Sequence, residues 1–200
     1  MQALRAHSTR ATISSRMYTF VFCWLLTALL VGYTGILRDA PVPMPVFAFA
    51  ISLTLLALLA VRRDLRERVL SVGVRVLVAI HISRFVGLYF LSLYRDGLLP
   101  RDFAVPAGWG DIIVAVGAII VLVAFRPDTP GGRTAYCTWN VVGLLDILLV
   151  LSQGARTMRS DPLLQAGFTS LPLILLPIFL VPIIIVTHVM IFVWWVRGRR

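Results

Sequence analysis

The chain has 200 residues, 59% of them hydrophobic and 14% charged, with a mean hydropathy of +0.90. A soluble domain of this length has too little interior to hide that much apolar surface, so lipid is the solvent for most of it. The net charge of +10 would suggest nucleic acid in a soluble protein. Here the arginines fall in short segments between apolar runs, where they report topology, and no nucleic-acid partner is expected.

A hydrocarbon core of about 30 Å needs about 20 apolar residues per helical crossing, and the chain supplies six such runs. It opens with a basic segment, residues 1–16, carrying Arg5, Arg10 and Arg16. The first apolar run, 17–37, is longer than the core of a signal peptide. The Arg38-Asp39-Ala40 that follows puts arginine where cleavage wants a small residue, so an uncleaved first helix is expected. A second span covers 45–61 and ends in Arg62, Arg63, Asp64, Leu65, Arg66, Glu67 and Arg68, read as a charged connection.

The third span, 72–94, carries Arg75 near one end, where it can snorkel, and then His81 and Arg84 on nearly one face. The fourth is assigned to 106–125. Residues 111–125 alone would be about 22 Å of helix, too short to cross. Two readings follow: Pro106 is the first helical position and Asp111 lies inside the membrane, or Gly110-Asp111 is a loop and N-cap below an interfacial 97–109 segment with Trp109. Pro130-Gly131-Gly132 reads as a turn. The fifth span, 135–152, carries Asn140, Gly143 and Asp146.

The sixth run, 168–196, contains Pro172, Pro177, Pro182 and His188, and a basic tail closes the chain over 197–200. As one helix it would be about 45 Å long, so it must tilt, kink or break. Pro177 deprives the Leu173 carbonyl of its usual donor, and Pro182 deprives that of Ile178. Such carbonyls are tolerated at membrane depth where they face protein, water or a bound cation. The bland alternative is a helix that is merely kinked.

Arginine placement sets the threading. Twelve arginines, at positions 5, 10, 16, 62, 63, 66, 68, 126, 133, 197, 199 and 200, fall on one side, and five, at 38, 95, 101, 156 and 159, on the other. The positive-inside rule places both termini in the cytoplasm, as an even number of crossings requires. Cys23 and Cys137 then fall near cytoplasmic helix ends, in a reducing compartment, and no structural disulfide is expected.

Ionisable groups inside a bilayer usually face the bundle interior, so their heights can be compared across helices. At 1.5 Å per residue, Arg84 and Asp146 both stand about 16 Å above the cytoplasmic boundary and are expected to pair. His81, His188 and Asn140 come out at about 12, 9 and 8 Å, close to one level. With Asp111 they form a polar column. Each member has a structural alternative: a register-fixing ion pair for Arg84 and Asp146, an interhelical hydrogen bond for either histidine, an N-cap for Asp111.

The chain shows no internal repeat, phosphate-binding glycine loop, nucleophile elbow or zinc-protease motif. The runs Gly97-Leu98-Leu99-Pro100, Pro106-Ala107-Gly108-Trp109-Gly110-Asp111, Trp139-Asn140 and Gly143-Leu144-Leu145-Asp146, with the closing prolines and His188, resemble a family of uncharacterised bacterial multi-pass membrane proteins. The resemblance runs from about Arg75 onward. It implies a membrane location and carries no activity, cofactor or catalytic residue.

The expectation is an all-α, six-span bundle in a bacterial inner membrane, with lipid around it and a homodimer or partner membrane subunit as possible company. Its polar site binds or moves protons or a small solute through His81, Arg84, Asp111, Asn140, Asp146 and His188. Two other classes stay open. One is a redox subunit with haem b or a metal on His81 and His188; the other is an accessory subunit whose polar residues only pack the bundle.

Overall fold

The computed structural model describes residues 15–198. Among these, every regular element is helical, and six helices are long and apolar enough to cross a membrane. They are α1 (Ser15–Thr34), α2 (Met44–Val61), a composite third span over Val74–Arg95, α6 (Arg101–Ala124), α7 (Pro130–Ser160) and a last span over Leu176–Arg197. The third span consists of α4 (Val74–Ala79), a 3₁₀ stretch over Ile80–Val86 and α5 (Gly87–Arg95). Two short helices, α3 (Arg63–Ser71) and α8 (Pro162–Phe168), occupy connections that the sequence reading left without structure.

Prolines account for most differences from the expected spans. α6 begins at Arg101 rather than Pro106, which lies inside the helix. The Asp102 carbonyl that Pro106 leaves without a donor accepts from Gln153 Nε2 of α7 instead, so the helix continues through the proline. Asp111 is therefore ten residues into α6, and neither the N-cap reading nor the loop over 97–109 holds. At the other end of the pair, Pro130 and the two glycines after it are the first turn of α7 and not a free turn. Thr129 caps that turn by accepting from the Gly132 amide at 3.1 Å.

The run 168–196 is broken. Residues 169–174 form turns, a π turn covers Leu176–Leu180, and α9 runs over Val181–Arg197. Pro172 precedes the spanning helix and does not kink it. Both carbonyls freed by the later prolines have donors: Leu173 O accepts from the Leu176 amide at 3.0 Å, and Ile178 O from Trp24 Nε1 of α1, also at 3.0 Å. The helix break is thus satisfied by protein on both counts.

The last span is the centre of the bundle, 56% buried, whereas the first is 11% buried and peripheral. α9 packs on α2, α4 and α7, while α6 packs on the 3₁₀ stretch, α5 and α7. Apolar clusters lie on either side of a polar layer. One is built on the aromatic triangle Phe90, Phe103 and Phe168, with ring centroids 5.5–6.2 Å apart. The other holds Leu77, Val78, Tyr136, Trp139 and Ile191.

Charged contacts stitch the arginine-rich end together. Arg197 makes a two-pronged bond to Glu67 at 2.8 Å, and Arg133 lies over the Trp194 ring at 4.7 Å while donating to Trp195 O at 2.6 Å. Arg75 does more than snorkel: its Nη2 donates to Leu122 O at 2.7 Å, satisfying a last-turn carbonyl of α6.

Candidate functional site

The 3₁₀ stretch places the first two site residues. With three residues per turn, positions i and i+3 eclipse, so His81 and Arg84 project along one line into the bundle. Both are fully buried. Close approach of the neighbouring helix then brings the partners. A Cβ on Gly87 would overlap the Gly108 carbonyl oxygen, so α5 and α6 meet backbone to backbone, and Asp111 comes within reach of Arg84.

Arg84 is the hub. Its Nε donates to Asp111 Oδ1 at 2.6 Å, its Nη1 to Gly143 O at 3.0 Å, and its Nη2 to Asp146 Oδ2. One guanidinium therefore ties the third span to α6 and α7 through two carboxylates and a carbonyl. The heights read from the sequence singled out Asp146 alone as its partner. Asp111 joins because α6 is continuous through this position and packs closely on α5 at Gly87 and Gly108.

Beside this cluster stands a second polar group. His81 and His188 have ring centroids 4.2 Å apart, and Trp139 packs edge-on to His81 at 5.0 Å. Asn140 and His188 make a reciprocal pair. Asn140 Nδ2 donates to His188 O at 3.1 Å, which fixes the amide orientation, because a carbonyl only accepts. Asn140 Oδ1 must then accept from His188 Nδ1 at 2.8 Å, so His188 carries its proton on Nδ1 and a lone pair on Nε2. On the other ring, His81 Nε2 lies 3.0 Å from Thr187 Oγ1. The remaining nitrogens, His81 Nδ1 and His188 Nε2, are buried without a hydrogen-bond partner.

Arg84 and Asp111 also border a cavity of about 50 Å³, lined elsewhere by apolar side chains that include Phe90, Phe168 and Leu176, and by Pro177 of the π turn. That volume exceeds the roughly 10–15 Å³ one water requires. Pro177 thus belongs to the wall of a cavity reaching the ion cluster. Pro182 lies five residues before Thr187, and Pro172 lies in the turns that lead to the π turn.

A family model, Domain of unknown function (DUF8737), matches residues 41–196. The chain belongs to this family. The DUF8737 match begins after α1 and contains every residue of the Arg84 cluster and the histidine pair. No curated protein and no solved structure matches the chain.

Among the expected site residues, His81, Arg84, Asp111, Asn140, Asp146 and His188 all lie in one connected polar layer of this DUF8737 chain. Four contributors escaped the sequence reading: Thr187, Trp139, Gly110 and the Gly143 carbonyl. Thr187 and Trp139 were signalled only by adjacency to His188 and Asn140. Backbone oxygens and glycine notches leave no chemical signature in a sequence.

Proposed function

We propose that this is a bacterial inner-membrane protein of the binding or transport class, with both termini cytoplasmic, whose site exchanges a proton at the Asp111 and Asp146 carboxylates that face the fixed charge of Arg84. His81, Asn140 and His188 extend that site beside the charged cluster. The reading is carried by charge balance: one guanidinium faces two carboxylates. Fully ionised, the cluster holds one surplus negative charge in a low-dielectric interior, a costly state. A single proton removes the surplus. A purely structural pair needs only one carboxylate per arginine, so the second acid is the feature that favours a working role.

The haem alternative is poorly served, because imidazole rings with centroids 4.2 Å apart are already close to van der Waals contact and leave no room for a macrocycle between them.

Infrared difference spectroscopy on the purified protein tests the proposal. Between mildly acidic and mildly alkaline pH, one protonated-carboxyl stretch should disappear from the wild type and be missing in Asp111→Asn or Asp146→Asn. A wild-type spectrum with no titrating carboxyl band would leave the accessory-subunit reading in its place.

A further inference from the structure

The two carboxylates of the cluster differ in what they face. Asp111 is 7% exposed at its side chain and borders the inner cavity, whereas Asp146 is 20% exposed. Asp146 lies halfway along α7, and the surface around it is apolar: Trp109, Ile113, Leu145 and Leu149 are each more than half exposed, at 55%, 62%, 58% and 67%. A carboxylate thus reaches the lipid-facing surface at mid-span. Gly110 of α6 is what admits it, since a Cβ there would overlap Asp146 Oδ1. Trp109 precedes Gly110 on α6, and Leu145 and Leu149 neighbour Asp146 on α7, so both helices carry exposed apolar side chains next to the notch.

A partly exposed charge at this depth is expensive unless something meets it. Charge complementarity selects the occupant. The Arg84, Asp111 and Asp146 cluster is one positive charge short of neutrality, and the notch opens toward hydrocarbon, so the fitting ligand is monovalent, cationic and apolar in body. The exposed Trp109, adjacent to Gly110, adds an aromatic side chain to this surface, of the kind that favours such a cation. A second unsatisfied group flanks the cluster. His188 Nε2, fully buried and without a partner, stands against Gly143, whose carbonyl Arg84 holds.

We infer that Asp146 and its Gly110 notch form a lateral entry site for a lipophilic monovalent cation, such as a protonated amine with an apolar body, which exchanges for the cluster's proton. This rests on the proton-exchange reading above. The balance is simple: one cation enters from the bilayer, one proton leaves to water, and the cluster stays neutral before and after. No bond other than the O–H bond of the carboxyl group is broken.

Tetraphenylphosphonium is a suitable probe, measured by equilibrium dialysis and by calorimetry in buffers of differing ionisation enthalpy on the intact protein in detergent. Saturable binding should strengthen as pH rises, by up to about tenfold per pH unit where one proton competes. One proton should be released per cation bound. Asp146→Asn should abolish the binding while retaining a hydrogen bond to Arg84 and a monodisperse elution profile, and Asp146→Glu should restore it. Binding without proton release, binding unchanged in Asp146→Asn, or no saturable binding in the wild type would each overturn the inference. A carboxyl band that titrates in a protein that ignores the probe would sink the cation site and leave proton exchange standing. Absence of the band itself would remove the proton-exchange reading and the cation exchange with it.

Discussion

Replacing Arg84 by methionine is the sharpest perturbation of this bundle. Methionine replaces the aliphatic stem of the side chain, though not the volume of its guanidinium, while deleting three charge-assisted hydrogen bonds, to Asp111, Gly143 and Asp146. Each such bond contributes about 1.5 kcal/mol or more in a soluble protein, and orphaning a buried charge costs about 3–5 kcal/mol. Within a bilayer the unfolded chain also finds partners, which lowers the net value, so a loss of about 3 kcal/mol is expected. Unfolding in mixed micelles, followed by tryptophan fluorescence, reads it directly. Neutralising the acids in the same chain, as Arg84→Met with Asp111→Asn and Asp146→Asn, should recover most of the loss, since no charge remains unpaired. A single mutant that loses less than about 1 kcal/mol, or a triple mutant no more stable than the single, would refute the claim that these three charges hold one another.

Three further outcomes follow from particular contacts. Trp24→Phe removes the donor to the Ile178 carbonyl that Pro182 leaves open, and it should cost about 1–3 kcal/mol, with faster amide exchange across the π turn; unchanged exchange would speak against α1 satisfying that carbonyl. Gly143→Ala would bring a methyl to 2.7 Å from His188 Cε1 and 3.0 Å from Val114 Cγ1, so a destabilisation of about 1–3 kcal/mol is expected, together with a shifted His188 ring resonance. At the arginine-rich end, the Arg197 guanidinium beside Glu67 holds that carboxyl below its ordinary value of 4.5. A depressed carboxylate stabilises the fold above its unfolded value and stops doing so as pH falls through the folded one. The melting difference between wild type and Glu67→Gln should therefore be small, salt-sensitive, present at neutral pH and gone once pH drops below that lowered value. A difference that persists in acid would assign it to packing.

The sequence by itself settled the solvent and the number of apolar helices, because hydrocarbon thickness leaves few ways to place six long apolar runs. It also pointed to polar groups that meet, because an α-helical rise puts Arg84 near the level of Asp146, and His81 near Asn140 and His188, and these are the groups the bundle brings together. Tertiary structure decided what counting has no access to. Whether a helix runs through Pro106 depends on Gln153, forty-seven residues away in the chain, replacing the missing donor to Asp102, and that decided between the two readings of Asp111, a position inside the membrane or a helix cap, in favour of the first. The break at the closing prolines likewise depends on Trp24 reaching Ile178. The 3₁₀ stretch that aligns His81 with Arg84, and the Gly110 notch that leaves Asp146 partly open, come from packing between helices. Spacing along one helix is a local property; the partner that satisfies a freed carbonyl, or the gap that exposes a charge, belongs to another helix and is set only when the bundle closes.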